Sequence, residues 1–189
     1  MEKRHLAVVR AGSTDITRYS LCGLCVEAGG NVVATNGHYL VALYPTGKRE
    51  ERGGGEVFIS HKGVKQLEGM AAALGGSFEI EGSEDGKSAS AIGANGLTVP
   101  VDRVELGGPW PDWRRVVEPS KPPVVTIGFN VRYLRQICDT IERLYETNKR
   151  GDAIFARFEI RGELDAVLIE TGEDKRGAKV FAALMPARI

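Results

Sequence analysis

The spacing of apolar residues along the chain changes between the period of a helix and that of a strand, and the same order of predicted elements occurs more than once. Val57-Phe58-Ile59 is a short apolar run that ends at Ser60, a residue type that favours a helix N-cap. The apolar residues that follow have the spacing of one helix face, and they are Val64, Leu67, Ala71 and Leu74. Gly75-Gly76 ends this predicted helix, and residues 77–81 then alternate like a half-buried strand. The pattern predicts strand, helix and strand.

Two further strands complete this unit, at residues 88–92 and 97–104. Asn95-Gly96 between them is a strong hairpin signal. The same order recurs later, with a strand at residues 124–127, an N-cap at Asn130 and strands at residues 154–160, 166–170 and 178–185. The helix between them is predicted to bury Val131, Leu134, Cys138, Ile141 and Tyr145.

The words Phe78-Glu79-Ile80-Glu81-Gly82 and Phe158-Glu159-Ile160-Arg161-Gly162 stand at equivalent points of these units. A strand-helix-strand-strand-strand unit therefore occurs twice, which is an internal repeat. The N-terminal segment fits a third copy with a shortened start. In it, residues 5–11 predict a short helix or strand, and three strands follow at residues 19–27, 31–35 and 39–44.

Glycine-rich residues 48–55 and proline-rich residues 109–123 separate the three units. We therefore predict an α+β fold in which helices pack on antiparallel sheets. Residues 1–117 would form a complete domain of two units, and residues 118–189 a half domain.

Composition narrows the class of protein. Lys plus Arg and Asp plus Glu are 25 each, and this balance excludes a histone-like coat of basic residues but not a local basic face. No run approaches the ~18 apolar residues of a membrane span, and the N-terminal apolar run is too short for a signal peptide. Three cysteines without a paired framework favour a cytoplasmic protein.

Catalytic and metal-binding patterns are sparse. Cys22-Gly23-Leu24-Cys25 lies in a strand pattern, where positions i and i+3 face opposite ways, whereas redox and zinc motifs normally sit at turns or helix starts. His5, His38 and His61 are the only histidines that could complete a metal site. Gly53-Gly54-Gly55 lacks the Lys-Ser/Thr of a phosphate loop. We predict no metal, no cofactor and no catalytic residues.

Several short sequence motifs resemble those of the bacterial DNA sliding clamp family, the polymerase III beta subunit. Arg18-Tyr19-Ser20-Leu21-Cys22-Gly23 and Ala34-Thr35-Asn36-Gly37-His38-Tyr39-Leu40 resemble R-Y-x-L-x-G and A-T-D-G-H-R-L of the clamp's middle domain. Ser60-His61-Lys62-Gly63-Val64 and Trp110-Pro111-Asp112-Trp113-Arg114-Arg115-Val116 resemble P-R-K-G-V and F-P-D-Y-R-R-V. The last residues, Leu184-Met185-Pro186-Ala187-Arg188-Ile189, are close to the family's terminal M-P-M-R-L.

The third unit, which opens with Ile127-Gly128-Phe129-Asn130-Val131, resembles the final half of the clamp's last domain. The resemblance thus implies a DNA-clamp fold made of the middle domain plus that half. It implies a DNA replication processivity factor without chemistry of its own. Its partners would be double-stranded DNA, DNA polymerase and other clamp-binding proteins, and a clamp loader. The alternative is a client-binding module that does not encircle DNA. An enzyme would require a catalytic Cys or His.

In sliding clamps the helices face DNA, so the resemblance implies a phosphate-facing surface. The polar side chains that point away from the predicted apolar stripes are Lys62, Lys65, Arg132, Gln136, Arg143 and Arg150. Such contacts are independent of base sequence and sensitive to salt. An ordinary solvated face remains an alternative, because Asp139, Glu142 and Glu146 share the third-unit helix.

Sliding clamps also bind client peptides in an apolar pocket. Carried over residue by residue, its positions are Leu21, Thr35, Gly37, His38, Leu40, Pro111, Arg115, Val116, Met185 and Pro186. The apolar members would form a floor and His38 and Arg115 a polar rim. Simple core burial is an alternative for Leu21, Leu40 and Val116. Asn36, Tyr39 and Ala187 differ from the family's Asp, Arg and Met, so we expect a changed client preference.

The pocket positions are retained while counterparts of the clamp's first domain are missing. We therefore expect client binding to be better preserved than encirclement. A third unit without a mate would leave an open sheet edge and an uncovered apolar face. A second copy is the simplest partner, so we predict a homodimer, or a higher homo-oligomer, formed through residues 124–189.

Overall fold

The computed structural model describes residues 1–27, 30–43, 56–83, 87–104, 106, 110–117, 122–144, 154–172 and 179–187. The chain forms two compact units, Met1–Glu118 (unit 1) and Pro119–Ile189 (unit 2). The described sheets are all antiparallel, with strand orders β3-β2-β1-β4, β5-β6-β7 and β10-β9-β8. The α+β class with helices and antiparallel sheets is confirmed.

The described elements of unit 1 begin with two 3-10 helices, Lys3–Ala11 and Ile16–Leu21. The remaining elements of unit 1 are β1 Gly23–Glu27, β2 Val32–Thr35, β3 Leu40–Leu43, β4 Glu56–Ser60, α1 His61–Met70, β5 Phe78–Gly82, β6 Ala89–Gly93, β7 Thr98–Pro100 and α2 Arg114–Val117. Unit 2 contains α3 Val131–Leu144, β8 Ala156–Glu159, β9 Val167–Thr171 and β10 Phe181–Leu184. The linker predicted at residues 48–55 lies outside the described residues.

Helix α1 begins at the N-cap that the sequence predicts, but it ends at Met70, and hydrogen-bonded turns continue the segment to Gly75 and Gly76. The Ser60 hydroxyl accepts a hydrogen bond from the Gly63 amide at 3.0 Å, which caps the first turn. Gly75 and Gly76 have φ of 80° and 84° and reverse the chain into β5. The predicted apolar stripe is buried against the sheets, and it consists of Val64, Leu67, Ala71 and Leu74.

Unit 1 contains two copies of the repeated strand-helix-strand-strand-strand pattern, which we call motifs from here on. Each motif places its first extended segment beside the sheet of the other motif. Strand β4 of the second motif pairs with β1 of the first, with Leu24 opposite Ile59. In return, the Phe78 amide donates to the Met1 carbonyl at 2.9 Å and Glu2 bridges Ser77 at the start of β5. Both helical segments and the two sheets therefore share one apolar core, which includes Leu6, Leu24, Ile59, Leu67, Leu74 and Phe78.

Two predicted strand boundaries in unit 1 were wrong, whereas the helix alternative for residues 5–11 is confirmed. The strand predicted at residues 19–27 begins only at Gly23, because the Asp15 carboxylate accepts from the Thr17 amide at 2.9 Å and starts the 3-10 helix Ile16–Leu21. The strand predicted at residues 97–104 ends at Pro100. Its continuation changes sheets, since the Val101 amide donates to Ala89 on β6 whereas the Val104 amide donates to Phe58 on β4. Residues 5–11 lie in a 3-10 helix.

Unit 2 corrects two predictions for the third motif. Residues 124–127 form no strand in the described part of the chain, and Val124 is fully exposed. Asn130 does cap α3, since its side-chain oxygen accepts from the Arg132 amide at 3.0 Å. The helix, however, turns Leu134, Ile137 and Ile141 toward the sheet, while Val131 and Cys138 of the predicted stripe are exposed and Tyr145 lies outside the described residues.

Candidate functional site

The turn between β2 and β3 carries three of the predicted pocket residues. The Thr35 hydroxyl donates to the Tyr39 carbonyl at 2.8 Å and accepts from the Gly37 amide at 3.1 Å. The Asn36 side-chain oxygen accepts from the amides of His38 and Tyr39 at 2.9 and 3.2 Å. Gly37 has φ of +87°, which a residue with a Cβ adopts only with strain. Four local hydrogen bonds thus fix the backbone that presents the exposed His38.

Leu21 lies beside this turn. A Cβ built on Gly37 would stand 3.9 Å from Leu21 Cδ1 and 3.2 Å from Arg18 Nη1. Arg18 Nη1 also donates to the Asn36 carbonyl at 3.1 Å, which ties the 3-10 helix Ile16–Leu21 to the turn. Leu21 is half-buried and presents part of its side chain to solvent. The structure therefore brings Leu21, Thr35, Gly37 and His38 together.

A polar cavity of about 390 Å³ opens next to His38. Its charged members are Arg10, Asp15 and Arg18, and Ser13, Thr14 and Asn36 complete most of its polar wall. Tyr39, which stands where the clamp family has Arg, donates its hydroxyl to the Arg10 carbonyl at 2.9 Å. This side chain is therefore engaged with the first 3-10 helix of the chain.

Three further predicted pocket positions belong to β3 and to the segment Trp110–Arg115, and they are Leu40, Pro111 and Arg115. Leu40 packs against the apolar cluster of Cys25, Val33, Phe58 and Trp113, which also contacts Trp110. Pro111 and Arg115 are exposed at the ends of the segment that carries the two tryptophans. Val116 lies in α2, and its side chain is outside the described part of the structure.

An ion pair that the sequence analysis missed holds this segment in place. Arg114 donates from Nη1 and Nη2 to Glu27 Oε1 and Oε2 at 2.7 and 2.5 Å, and Trp113 Nε1 and Asn31 Nδ2 donate to the same carboxylate at 3.1 Å each. Burial would raise the pKa of Glu27, but these hydrogen bonds and the Arg114 charge lower it overall. The signal in the sequence was a carboxylate at the end of the buried run Leu24-Cys25-Val26, since a buried charge requires a partner.

Met185 and Pro186 belong to unit 2 and lie in a groove of about 760 Å³ between α3 and β10. The groove is mostly apolar, with Ile137, Ile141, Phe181 and Leu184 among its lining residues. Met185 is 64% exposed. The other eight predicted pocket positions are in unit 1.

The predicted DNA-facing residues lie on both long helices. Lys62 and Lys65 are exposed on α1, and Lys62 Nζ lies 3.5 Å from Asp102 Oδ1. Arg132 and Arg143 are exposed on α3, while Gln136 lines the groove of unit 2. Arg150 lies outside the described residues. Arg135 pairs with Asp139 at 3.5 Å on the same face of α3, so positive and negative charges are mixed there.

The two cysteines of the C-x-x-C word are in different environments. Cys25 is buried in β1, and burial with the nearby Glu56 and Glu27 raises the pKa of its thiol. The thiol of Cys22 donates to the Asp15 carbonyl at 3.1 Å. The burial of Cys25 does not favour a reactive thiolate at that position. Among the described residues, no group of three or more His, Cys, Asp or Glu side chains could hold a metal ion.

Comparisons with known proteins identify the class of fold. A solved structure, Caulobacter crescentus pol III beta, matches over 98% of this chain with a TM-score of 0.66 and 15% sequence identity. The match covers 50% of that protein, so this chain spans about half its length. No family model and no curated protein matches the sequence. The fold is therefore that of a DNA clamp.

The match agrees with the repeated motif and the antiparallel sheets described above. At 15% identity, it establishes the fold and not an activity. A separate feature concerns membranes: no helix within the described ranges is long and apolar enough to span one.

Proposed function

We propose that this protein is a sliding-clamp-like DNA replication processivity factor, which binds client proteins at the β2–β3 turn and contacts duplex DNA without sequence preference. The observation that carries the proposal is the DNA-clamp fold over 98% of the chain, with the turn that holds Leu21, Gly37 and His38 together. The protein would act by binding alone. The mixed environments of Cys22 and Cys25 agree with that.

The client site would take a short apolar peptide segment. Leu21 and Leu40 are half-buried and offer apolar contact, while His38 and Arg115 are exposed and offer polar contacts at its rim. The site is preorganised because the turn is fixed by its own hydrogen bonds.

Peptide binding tests this proposal. A fluorescent client-motif peptide of a bacterial replicative polymerase is titrated against the full chain and followed by anisotropy. We expect saturable binding that Leu21→Asp weakens about tenfold or more, as loss of an apolar anchor does. Leu97→Asp is the matched control, since Leu97 is an exposed leucine on the β6–β7 hairpin and should bind like wild type. Absence of saturable binding, or equal loss in both variants, would refute the client site.

DNA contact would come from exposed basic residues of the two helices. Lys62, Lys65, Arg132 and Arg143 are all exposed, and phosphate contacts of this kind weaken linearly with the logarithm of salt concentration. We expect weak binding to nicked circular duplex DNA that Lys62→Glu, Lys65→Glu and Arg132→Glu together abolish. The control is charge reversal of Lys87 and Lys179, which are exposed outside the helices. It is compared with the double variant of Lys62→Glu and Lys65→Glu, and equal effects of the two double variants would contradict a helical DNA surface.

A second candidate is a client-binding module that does not encircle DNA and that competes with a full-length clamp. The observation that favours it is the mixed charge on α3, where Arg135 pairs with Asp139 at 3.5 Å on the face that would have to contact DNA. Retention on circular DNA separates the two candidates. A clamp stays on closed circles and slides off after linearisation, whereas a competitor binds the peptide but is retained on neither DNA.

A further inference from the structure

Helices α1 and α3 carry the same apolar positions when they are counted from their N-caps. Asn130 follows Ser60 by 70 positions (130 − 60), and the same shift matches the buried stripe of α1 to α3. The matched positions are Val64 with Leu134, Leu67 with Ile137, Ala71 with Ile141 and Leu74 with Leu144. The four residues of α1 and of the turns that follow it are at most 3% exposed, whereas Leu144 is 57% exposed and Leu134 and Ile137 are only half-buried. The third motif is therefore incompletely covered on its helix.

The sheet of the third motif is open at the corresponding place. Phe158 follows Phe78 by 80 positions (158 − 78) at the equivalent point of the repeat, yet Phe78 is 2% exposed and Phe158 is 45% exposed. Strand β5 runs to Gly82, but β8 already ends at Glu159, before the equivalent Gly162. Phe158 pairs with the buried Ile169, so it lies on the sheet face that packs against α3, whereas the exposed Phe181 pairs with Glu170 and lies on the opposite face. The incompletely covered residues Phe158, Leu134, Ile137 and Leu144 form what we call the open face.

The segment before α3 is also half-paired. In unit 1 the Phe58 carbonyl accepts from the Val104 amide at 2.8 Å, and in unit 2 the matched Gly128 carbonyl accepts from the Ala187 amide at 2.8 Å. The other edge of β4 pairs with β1 of the neighbouring motif. In the described part of unit 2, the corresponding edge of residues 124–129 and the outer edge of β8 have no strand beside them.

We infer that a second copy of this chain covers the open face, with residues 126–129 of each copy added to β8 of the other. Unit 1 provides the template, because there two such motifs cover one another by exchanging first strands. The exchange is reciprocal, as a two-fold symmetric interface requires. This inference goes beyond the proposed function and does not depend on client or DNA binding.

The template also fixes the register. In unit 1 the helix N-cap residue of each motif lies opposite the first paired residue of the strand that follows the helix in the other motif. Ser60 is opposite Gly23 at the start of β1, and Glu2 is opposite Ser77 just before β5. The position matched to Ser77 is Arg157, so Asn130 of one copy lies opposite Arg157 of the other. An antiparallel ladder then sets Phe129 opposite Phe158 and Thr126 opposite Arg161. None of these pairs sets like charges against each other.

Engineered disulfides test this register. Thr126→Cys with Arg161→Cys, in a background of Cys22→Ser and Cys138→Ser, should form an intermolecular disulfide under mild oxidation. Directly opposed residues in an antiparallel ladder lie about 4.5–5.5 Å apart, within disulfide reach. Thr126→Cys with Arg157→Cys is the control, because four residues of strand shift the pair by roughly 13 Å. The single-cysteine variants exclude pairing of identical positions. Equal cross-linking of both pairs, or of neither, would overturn the inferred register.

Light scattering tests the assembly itself. At roughly 50 µM, where a dimer with micromolar affinity is populated, we expect twice the 20.4 kDa chain mass. Leu144→Glu leaves an exposed residue of one chain exposed, but places a charge inside the proposed interface, so it should weaken the dimer by about tenfold or more. Cys138→Glu is its control on the same helix, since the matched Glu68 of α1 is exposed. A wild-type monomer, or a dimer that Leu144→Glu does not weaken, overturns the inference whether or not the client peptide binds.

Discussion

Arg114 donates hydrogen bonds from both terminal nitrogens to the carboxylate of Glu27, at 2.7 and 2.5 Å, although the two residues are 87 positions apart in the sequence. The side chains are only 14% and 7% exposed, and the Arg114 guanidinium also stacks 4.4 Å above the Trp113 ring. This contact fixes the Trp110–Arg115 segment on the outer face of the first sheet. It thereby positions Pro111 and Arg115 relative to Leu40 at the proposed client site.

Removing the arginine should be costly. Arg114→Met leaves the Glu27 carboxylate buried without its cation, which typically lowers the free energy of unfolding by about 3–5 kcal/mol. The measurement is urea unfolding followed by tryptophan fluorescence, which reports on unit 1 because Trp110 and Trp113 are the only tryptophans. The double variant Glu27→Gln with Arg114→Met removes both charges and should recover part of the loss. A double variant as unstable as the single one would contradict a dominant role of the charge pair.

The same pair predicts a dependence of stability on pH. Because the folded-state pKa of Glu27 is below its ordinary value of 4.5, the unfolded chain binds more protons in that range. Its contribution to the free energy of unfolding is therefore present above pH 4.5 and is lost as pH falls through the lowered pKa. In Arg114→Met this contribution is absent, so unfolding curves of the two proteins should converge as the pH is lowered. A constant difference between them at every pH would contradict this account.

Two glycines of α1 should respond in opposite directions to alanine. A Cβ on Gly63 would lie 2.1 Å from the Asp102 carbonyl oxygen, whereas a Cβ on Gly69 meets no atom within 4 Å. We expect Gly63→Ala to lower the free energy of unfolding by about 1–3 kcal/mol through overpacking. Gly69→Ala should raise it by up to about 1 kcal/mol, because alanine favours the helix. Thermal unfolding measures both, and shifts of the same sign would show that the close approach at Gly63 is unimportant.

Matched truncations of α1 and α3 should differ in cost. Leu67 is completely buried, so Leu67→Ala should destabilise unit 1 by about 2–5 kcal/mol. Ile137 occupies the equivalent position but is only half-buried, so Ile137→Ala should cost unit 2 clearly less at concentrations where the chain is monomeric. Tryptophan fluorescence follows unit 1, and amide hydrogen exchange of α3 follows unit 2. Equal losses would mean that Ile137 is as well covered as Leu67.

Local signals predicted the start and the buried stripe of α1 correctly, because its cap and its stripe lie within one stretch of sequence. They placed its end too late, since α1 ends at Met70 and turns continue to Gly75 and Gly76. The prediction of the buried face of α3 was wrong because two sets of apolar residues, one with Cys138 and one with Ile137, both contain Leu134 and Ile141. The position of the sheet decides which set is buried. Alignment of the N-caps Ser60 and Asn130 would have selected Ile137 over Cys138. The contact between Glu27 and Arg114 could not be predicted from spacing, since nothing local in sequence connects them.

The strand predicted at residues 124–127 failed for a different reason. Its residues have high β propensity, but a strand forms only where another strand supplies hydrogen bonds. The matched strand β4 has such a neighbour in β1, with Val57 opposite Val26. Sequence pattern therefore identified the segment and its role in the motif, while the presence of a partner determines its conformation. The predicted role of Met185 and Pro186 in client binding stays a prediction.

The exchanged first strands of unit 1 also affect how that unit comes apart. Strand β4 belongs to the sheet of the first motif, and Met1 is hydrogen-bonded to β5 of the second motif. Neither motif can therefore unfold without breaking strand hydrogen bonds of the other. A single cut in the backbone between β3 and β4 would therefore leave two fragments interlocked as one particle, and only denaturant would release them.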